Sequence, residues 1–350
     1  EPARAPDTTP RQLDMDLARS IQAVTEKVVL RLARSLQAET GMRHLCLAGG
    51  VALNCVANGR LLREGPFDDI WIQPAAGDAG GAVGAALVAW HQYFGEPRVA
   101  EKPDAMDGAF LGPEFGAAEV ADLLADRNLP HEHIGDEALF DRVAGYLAGG
   151  AVVGWFQGRM EFGPRALGNR SILGDPRRTD MQRTMNLKIK YRESFRPFAP
   201  SVLAERIGDA FALDHASPYM LIVAPIADAM RTNGAEPTPA SGLDKLGHVA
   251  SAIPAVTHVD YSARIQSVHR RTNPRYHRLL KSFADRTGCP LVINTSFNVR
   301  GEPIVCAPED AYRCVMATEM DYLFLGQLVL AKKKQPAVDR DRAREFSLRP

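Results

Sequence analysis

Arginine and glycine alternate in one short block of the chain that follows an apolar stretch. The block runs over residues 157–171 and contains Arg159, Arg165 and Arg170 together with Gly163. Arginine carries a planar fork of donors that fits phosphate or carboxylate in two-point contact, and glycine lets backbone N–H groups approach an anion closely. The block therefore predicts a local anion site. The alternative is a surface loop whose charges are solvated.

A second group of cations lies between a predicted helix and a proline-bounded segment. It contains Lys190, Arg192 and Arg196, and Pro197 stiffens the chain that follows. If this segment is extended, Lys190 and Arg192 point the same way, because side chains two residues apart share a face of an extended chain. The two cations would then converge on one anionic group.

A third group of polar residues follows the apolar run 290–293 and consists of Asn294, Thr295, Ser296, Asn298 and Arg300. Hydroxyl and amide groups of this kind can hold a phosphate and a carbonyl together. The first and third groups lie where predicted strands end, which is where α/β sheets bind ligands. A capped turn is the alternative for each group alone, but three groups in one region favour a binding site.

Two glycine-containing segments near the N-terminus also lie between a predicted strand and a predicted helix. One contains Gly49, Gly50 and Asn54, and the other contains Asp78 and Gly80. Helix N-termini attract phosphate, although neither a Walker motif nor a G-x-G-x-x-G motif is present. Asp78 fits either a metal ligand or a cap for the helix predicted from residue 79, and spacing alone favours the cap.

Residues 1–95 form the first region, whose predicted elements alternate between helix and strand. Hydrophobic periodicity predicts a helix over 11–40, a strand over 44–48, a helix over 51–62, a strand over 70–73 and a helix from 79 onward. This order indicates an α/β fold. Because two strands do not make a stable sheet, residues 1–95 are predicted to be the back half of a larger α/β domain. Its other strands would lie upstream or in a partner chain.

Proline residues over 96–106 predict a linker. Residues 107–335, the second region, are predicted to form a second α/β domain, and residues 336–350 are predicted to form a solvated tail. The second domain is predicted to contain helices over 117–128, 137–148, 179–189, 274–287 and 308–320. Its predicted strands cover 151–156, 219–226, 256–268, 290–294 and 322–331. Residues 227–255 show little periodicity and are predicted to form a long loop.

The composition excludes several classes of protein. Lys plus Arg and Asp plus Glu each number 42, and a net charge of zero argues against nucleic-acid or membrane-surface partners. The apolar stretches 79–90 and 143–156 are shorter than the roughly 20 residues of a membrane span. The five cysteines form no C-x-x-C pair, which predicts buried, reduced thiols in a cytoplasmic protein.

Four blocks resemble, in the same order, the signature blocks of the O-carbamoyltransferases of the nodulation-factor NodU and antibiotic type. They are RMEFGPRALGNRS at 159–171, KYRESFRPFAP at 190–200, SARIQ at 262–266 and NTSFN at 294–298. The resemblance covers roughly residues 11–335. It implies that residues 1–95 are the C-terminal part of an actin-like (ASKHA) domain, which passes a carbamoyl group to a small-molecule or sugar hydroxyl. It also implies that residues 107–335 form a YrdC-like domain.

In that family the YrdC-like domain joins carbamoyl phosphate and ATP, accompanied by Mg²⁺, into carbamoyl adenylate. The candidates for neutralising the negative charges of the two substrates are Arg165, Lys190, Arg196 and Arg264. Substrate binding falls to Arg159, Gly163, Arg170, Arg192, Gln266, Asn294, Thr295, Ser296, Asn298 and Arg300. Lys190 and Arg192 match a K-x-R element, and Ser296 and Asn298 match an S-x-N element. In the first domain, Gly49, Gly50, Asn54 and Gly80 would hold nucleotide.

Asp78 would ligate a metal, commonly Fe²⁺. Family members complete this site with a histidine pair from an N-terminal half-domain that this sequence lacks, so an incomplete metal site is expected. Three functions stay open: an enzyme that carries out at least the adenylate-forming half-reaction, a non-catalytic nucleotide-binding subunit that needs a separate chain for the missing half-domain, and a threonylcarbamoyl-type tRNA-modification enzyme. The arginine-rich block and the neutral charge disfavour the third.

Overall fold

The structure is a computed structural model that describes residues 4–5, 8–100, 104–232, 242, 244–245 and 250–336. Its helices are α1 Gln12–Thr40, α2 Cys55–Glu64, α3 Gly80–Val88, α4 Ala117–Asp126, α5 Asp136–Ala148, α6 Met181–Lys188, α7 Ile207–Ala210, α8 Pro274–Thr287 and α9 Pro308–Ala317. Its strands are β1 His44–Leu47, β2 Asp69–Ile72, β3 Glu132–His133, β4 Val153–Phe156, β5 Arg170–Gly174, β6 Ala199–Leu203, β7 Ile222–Pro225, β8 Ser262–Val268, β9 Leu291–Ser296, β10 Tyr322–Leu325 and β11 Leu328–Ala331. The predicted α/β class is confirmed.

The strands form two sheets of very different size. Strands β1 and β2 pair in parallel, with Leu47 opposite Ile72. The other strands form a mixed sheet in the order β3-β11-β10-β4-β5-β9-β6-β8-β7. Strands β4, β5 and β6 are buried along their whole length, so the centre of the large sheet is covered on both faces.

Helix α1 shows where the sequence pattern and the packing differ. The helix ends as predicted, because Gly41 adopts φ 64° and its N–H bonds to the carbonyl of Gln37. Its apolar stripe, however, faces outward: Leu17 is 61% exposed and Ile21 is 65% exposed. The face that packs against the protein instead carries Leu30 and Ala33. An uncovered apolar face therefore runs along α1.

The first region packs directly on an edge of the large sheet. A Cβ added to Gly59 of α2 would lie 1.9 Å from the carbonyl oxygen of Val223, so only glycine permits this approach. The side chain of Asn58 donates to the carbonyl of Leu221 at 3.0 Å, and Arg63 donates to the carbonyl of Val223 at 2.9 Å. Helix α2 therefore covers strand β7, which lies at the edge of the sheet.

Several predicted elements differ from the structure. The helix predicted over 51–62 is interrupted, because α2 begins only at Cys55 and Asn54 caps it by accepting from the N–H of Ala57. The strand predicted over 322–331 is an antiparallel hairpin that turns at Gly326, where φ is 62°. The strand predicted over 256–268 begins only with β8. Strands β5 and β6 were not predicted, because both begin inside the cation-rich blocks.

About half of the loop predicted over 227–255 lies outside the described residues. The tail over 336–350 also lies outside them, apart from its first residue. The five cysteines are free thiols, but only Cys289 and Cys314 are buried. The prediction that all were buried is wrong for Cys46, which is exposed in strand β1 of the two-stranded sheet. No helix within the described residues is long and apolar enough to cross a membrane.

Candidate anion site

A cavity of about 390 Å³ lies where the first region meets the large sheet. Four arginines from three parts of the sequence line it: Arg165, Arg192, Arg196 and Arg264. Its walls also include Asn294, Thr295 and Ser296 of strand β9 and, from helix α2, Cys55 and Val56. None of the described residues that line it is an aspartate or a glutamate. The cavity is therefore suited to a ligand with several negative charges.

The arginines reach the cavity from three elements. Arg165 lies in the loop between β4 and β5, Arg192 and Arg196 lie between α6 and β6, and Arg264 lies in β8. Among the described residues, only Arg196 has a carboxylate close by, with its Nε 3.1 Å from the carboxylate of Glu193. Because the other three arginines have no acidic partner at this distance in the described part of the chain, a bound anion would supply the missing charge.

Burial changes the acidity of the groups that face the cavity. Burial, together with the nearby Arg264, lowers the pKa of Arg165 to about 10, and burial lowers the pKa of Arg192 to about 10. Both guanidinium groups still carry a positive charge at neutral pH. Burial and the nearby Arg264 also lower the pKa of His258, whereas the charge of Asp260 acts to raise it. His258 is therefore neutral at pH 7 and can donate or accept one hydrogen bond at the cavity wall.

Hydrogen bonds hold the main chain that follows Arg165. Glu161 accepts from the N–H groups of Leu167 at 2.7 Å, Asn169 at 2.8 Å and Arg170 at 3.2 Å. From strands β8 and β9, Gln266 donates to the carbonyl of Leu167 at 2.7 Å, and Asn294 donates to the carbonyl of Ala166 at 3.0 Å. Gln266 lies outside the lining of the cavity, and it also accepts hydrogen bonds from Ser201 and Asn294.

The K-x-R and S-x-N elements meet, but not in the way their spacing predicts. Tyr191 adopts φ 46°, so the segment is not extended, and Lys190 and Arg192 point in different directions. Lys190 is buried, and its Nζ donates to Asn298 Oδ1 at 2.6 Å and to the carbonyls of Ser296 and Asn298 at 2.7 and 2.8 Å. The expectation that both cations converge on one anion is thus wrong for this conformation.

The structure places other predicted residues of the second region away from the cavity lining. Arg170 is fully buried, stacks 3.6 Å from the centre of the Phe156 ring and donates to main-chain carbonyls. Arg159 and Arg300 are exposed, and Arg159 donates to the carbonyl of Gly112 at 3.1 Å. Gly163 has φ 135°, and a Cβ there would lie 2.9 Å from the carbonyl oxygen of Pro74. Gly163 thus allows the loop over residues 157–169, the arginine loop, to contact the first region.

The predicted residues of the first region lie beside the cavity rather than in its lining. Gly49 and Gly50 are exposed, Asn54 caps α2, and a Cβ on Gly80 would lie 2.2 Å from the carbonyl oxygen of Ala75. Between them, the carbonyl of Leu53 accepts from Arg165 Nη2 at 3.4 Å. The first glycine segment therefore contacts the arginine loop.

Asp78 does not cap a helix, because α3 begins at Gly80 and its N-cap residue is Ala79. Asp78 is exposed. Within the part of the chain that the structure describes, no group of three or more His, Cys, Asp or Glu side chains could hold a metal ion. The described residues consequently do not fit a transition-metal site, which normally needs several N/O ligands.

Sequence reasoning missed residues whose roles depend on the fold. Glu161 was overlooked although it is an acid inside an arginine-rich block, a pattern that could have indicated a structural partner. His258 lies at the cavity but belongs to no motif. Cys55 and Val56 reach the cavity only because α2 packs against the second region, and nothing in their local sequence indicates this.

Comparison with known proteins identifies the family. A family model described as the carbamoyltransferase C-terminus matches residues 144–332, and one described as the carbamoyltransferase N-terminus matches residues 3–87. The chain belongs to the carbamoyltransferase family. The resemblance of the four sequence blocks to the NodU-type O-carbamoyltransferases is thereby confirmed, and the family is one of enzymes.

Three relatives illustrate this similarity. An uncharacterized protein of Synechocystis sp. is 61% identical over 99% of this chain and 57% of its own length. Nodulation protein NolO of Bradyrhizobium diazoefficiens is 41% identical over 94% of this chain and 56% of its own. The 3'-hydroxymethylcephem-O-carbamoyltransferase of Amycolatopsis lactamdurans is 36% identical over 75% of this chain and 44% of its own. The chain spans about half the length of the curated relatives it matches.

Proposed function

We propose that this chain binds carbamoyl phosphate and MgATP in the arginine-lined cavity and converts them to carbamoyl adenylate, phosphate and pyrophosphate. The observation that supports this most directly is the convergence of Arg165, Arg192, Arg196 and Arg264 on one cavity whose described lining has no acid. Two polyanions repel each other strongly, and cations fixed in advance cancel that repulsion. The assignment of residues 107–335 as a YrdC-like domain is part of this proposal.

The chemistry requires positioning more than covalent catalysis. Water attacks the carbonyl carbon of carbamoyl phosphate, the bond to the phosphate oxygen breaks, and carbamate and phosphate are released. An oxygen of carbamate then attacks the α-phosphorus of ATP, and the bond to the pyrophosphate oxygen breaks. The arginines spread the developing charge over fixed donors, and binding in one cavity keeps the carbamate close to its target.

We further propose that the carbamoyl group passes to the hydroxyl of a small-molecule acceptor. The support is that relatives include an O-carbamoyltransferase of a hydroxymethyl group. Iron enters no step proposed for this chain, because the described residues do not fit a metal site. Both substrates are metabolites of the cytoplasm, and we propose that location for the protein.

Pyrophosphate release tests the first half-reaction. The chain is incubated with ATP, Mg²⁺ and carbamoyl phosphate, and pyrophosphate is measured over time. We expect release that depends on carbamoyl phosphate and that threonine plus bicarbonate cannot replace. Release only with threonine and bicarbonate would identify a threonylcarbamoyl-type enzyme instead. Binding of ATP without any release would indicate a nucleotide-binding subunit.

A second candidate, a subunit that acts together with further polypeptide, is favoured by the uncovered apolar surface of the first region. Along α1, residues Leu17, Ile21 and Leu32 are between 61% and 65% exposed. Helix α3 has no buried residue although it is almost entirely apolar. Large exposed apolar patches mark interaction sites. We propose that this surface packs against the remaining half of the actin-like domain, in the same or a separate chain.

Transfer to an acceptor separates these two candidates. We expect this chain alone to release pyrophosphate without forming a carbamoylated alcohol. Formation of carbamoylated product from the chain alone, measured with a 3'-hydroxymethylcephem as the trial acceptor, would contradict the need for further polypeptide.

A further inference from the structure

We infer that Glu161 is a positioning residue that fixes the direction of Arg165 into the cavity before any substrate binds. This inference rests on the proposed function of the cavity. Glu161 itself does not line the cavity, is only 4% exposed and lies four residues before Arg165. It therefore acts through the main chain of the loop and not by contact with substrate.

The side chain of Arg165 makes few hydrogen bonds with the rest of the described protein. Its Nη2 makes one long hydrogen bond, 3.4 Å, to the carbonyl of Leu53, and its buried Nε has no hydrogen-bond partner. The neighbouring guanidinium of Arg264 repels it. Since the side-chain contacts are weak, the direction of Arg165 depends on the main chain from which it projects.

One carboxylate oxygen holds three amides of that main chain, while Gln266 and Asn294 hold two of its carbonyls. Glu161 Oε1 accepts from three amides, those of Leu167, Asn169 and Arg170, and so folds the loop back on itself around Arg165. Hydrogen bonds from amides to a carboxylate are about twice as strong as those between neutral groups. Loss of this acceptor leaves three inward-facing donors without their partner.

Close packing next to these amides restricts the conformation of the loop. Gly168 has φ 110°, and a Cβ there would lie 2.2 Å from a ring carbon of Tyr276. The side chain of Asn169 is held by Gln157 and Asn273, each at 2.9 Å. The loop end is thus fixed to the core of the second region. Through its hydrogen bonds, Glu161 connects the part of the loop that precedes Arg165 to this fixed end.

The test compares Glu161→Ala and Glu161→Gln with Asp175→Asn. Glutamine keeps an acceptor oxygen of the same reach, and Asp175 is an equally buried carboxylate, 1% exposed, whose partner is Arg177. For each variant we would measure the dissociation constant for pyrophosphate by calorimetry, the melting temperature, and hydrogen exchange of the amides of residues 162–170.

We expect Glu161→Ala to weaken pyrophosphate binding by about tenfold or more, because a misdirected Arg165 loses its charge-assisted contact with the anion. Exchange at Leu167, Asn169 and Arg170 should be faster. Glu161→Gln should recover most of the affinity, and Asp175→Asn should lower the melting temperature with unchanged affinity. Unchanged affinity of folded Glu161→Ala would overturn the inference alone. Failure of the wild-type chain to bind pyrophosphate would overturn the proposed function and this inference with it.

Discussion

Lys190 Nζ donates to Asn298 Oδ1 at 2.6 Å and thereby joins two motifs that lie 108 residues apart in the sequence. The same ammonium group also donates to the carbonyl oxygens of Ser296 and Asn298. Ser296 lines the cavity, whereas Lys190 does not. In this structure the lysine therefore shapes the turn after β9, and the arginines provide the charge that faces the ligand.

We predict that Lys190→Met weakens pyrophosphate binding by about tenfold or more, because it removes the donor of three hydrogen bonds that hold the half-buried turn after β9. Lys188→Met is the matched control, since Lys188 lies two residues away but is exposed and pairs with Glu319 at 3.1 Å. Titration calorimetry on both variants measures the effect. Equal losses in the two variants would indicate a diffuse basic patch and not a specific contact.

The stability of the protein should depend on pH through Lys190. Burial lowers the pKa of Lys190 to about 7, whereas an unfolded lysine titrates near 10.4. Between these values the unfolded chain binds the proton that the folded chain has released. The free energy of unfolding should therefore increase as pH rises from 7 to 8.5, by about 1–2 kcal/mol from this residue.

Urea unfolding of the wild type and Lys190→Met at the two pH values measures this contribution as a difference. Above this range the buried thiols act in the opposite direction, because burial raises the pKa of Cys289 to about 11 and that of Cys314 to about 12. An identical change with pH in both proteins would show that Lys190 is not the group that titrates.

We predict that Arg170→Met acts on stability. The guanidinium of Arg170 is fully buried and donates to the carbonyls of Gln157 and Gly158, among others. Its loss leaves buried acceptors unpaired and should lower the free energy of unfolding by about 3 kcal/mol or more. Exposed Arg300→Met should change it by less than about 0.5 kcal/mol. Similar unfolding curves for the two variants would contradict the structural role of Arg170.

We predict that Asp78→Asn leaves pyrophosphate release unchanged, because Asp78 is exposed and lies outside the lining of the cavity. The purified chain should contain much less than one iron per molecule, since the described residues offer no group of three ligands. Elemental analysis and a pyrophosphate assay test the two statements. Stoichiometric iron would mean that residues outside the described part of the chain complete a metal site.

The sequence predicted the site better than it predicted the role of each residue in it. Arg165, Arg192 and Arg196 are predicted from cation-rich blocks and Arg264 from a block that carries the family resemblance, and all four line one cavity. Composition cannot separate Arg165 from Arg170, however, although Arg165 faces the cavity and Arg170 is the fully buried first residue of β5. That difference is set by tertiary packing, which places carbonyls around Arg170.

Local conformation and missing surroundings explain two other differences. The spacing of Lys190 and Arg192 predicts a shared direction only for an extended chain, and the left-handed conformation of Tyr191 turns Lys190 inward. The apolar stripe of α1 was predicted correctly, but periodicity does not tell what covers it. In the structure the opposite face packs inward, and Glu26 there pairs with Arg60 at 3.0 Å.

The most direct test of the proposed function is exchange of labelled pyrophosphate into ATP. An enzyme that forms carbamoyl adenylate reversibly must return pyrophosphate to ATP, and it must do so only when carbamoyl phosphate is present. We predict such exchange for the wild-type chain and for Arg159→Ala, whose side chain is 57% exposed and lies outside the lining of the cavity. Arg165→Ala and Arg264→Ala should reduce exchange by about a hundredfold while remaining folded. Exchange that is absent from the wild type, or that persists in both cavity variants, would contradict the account.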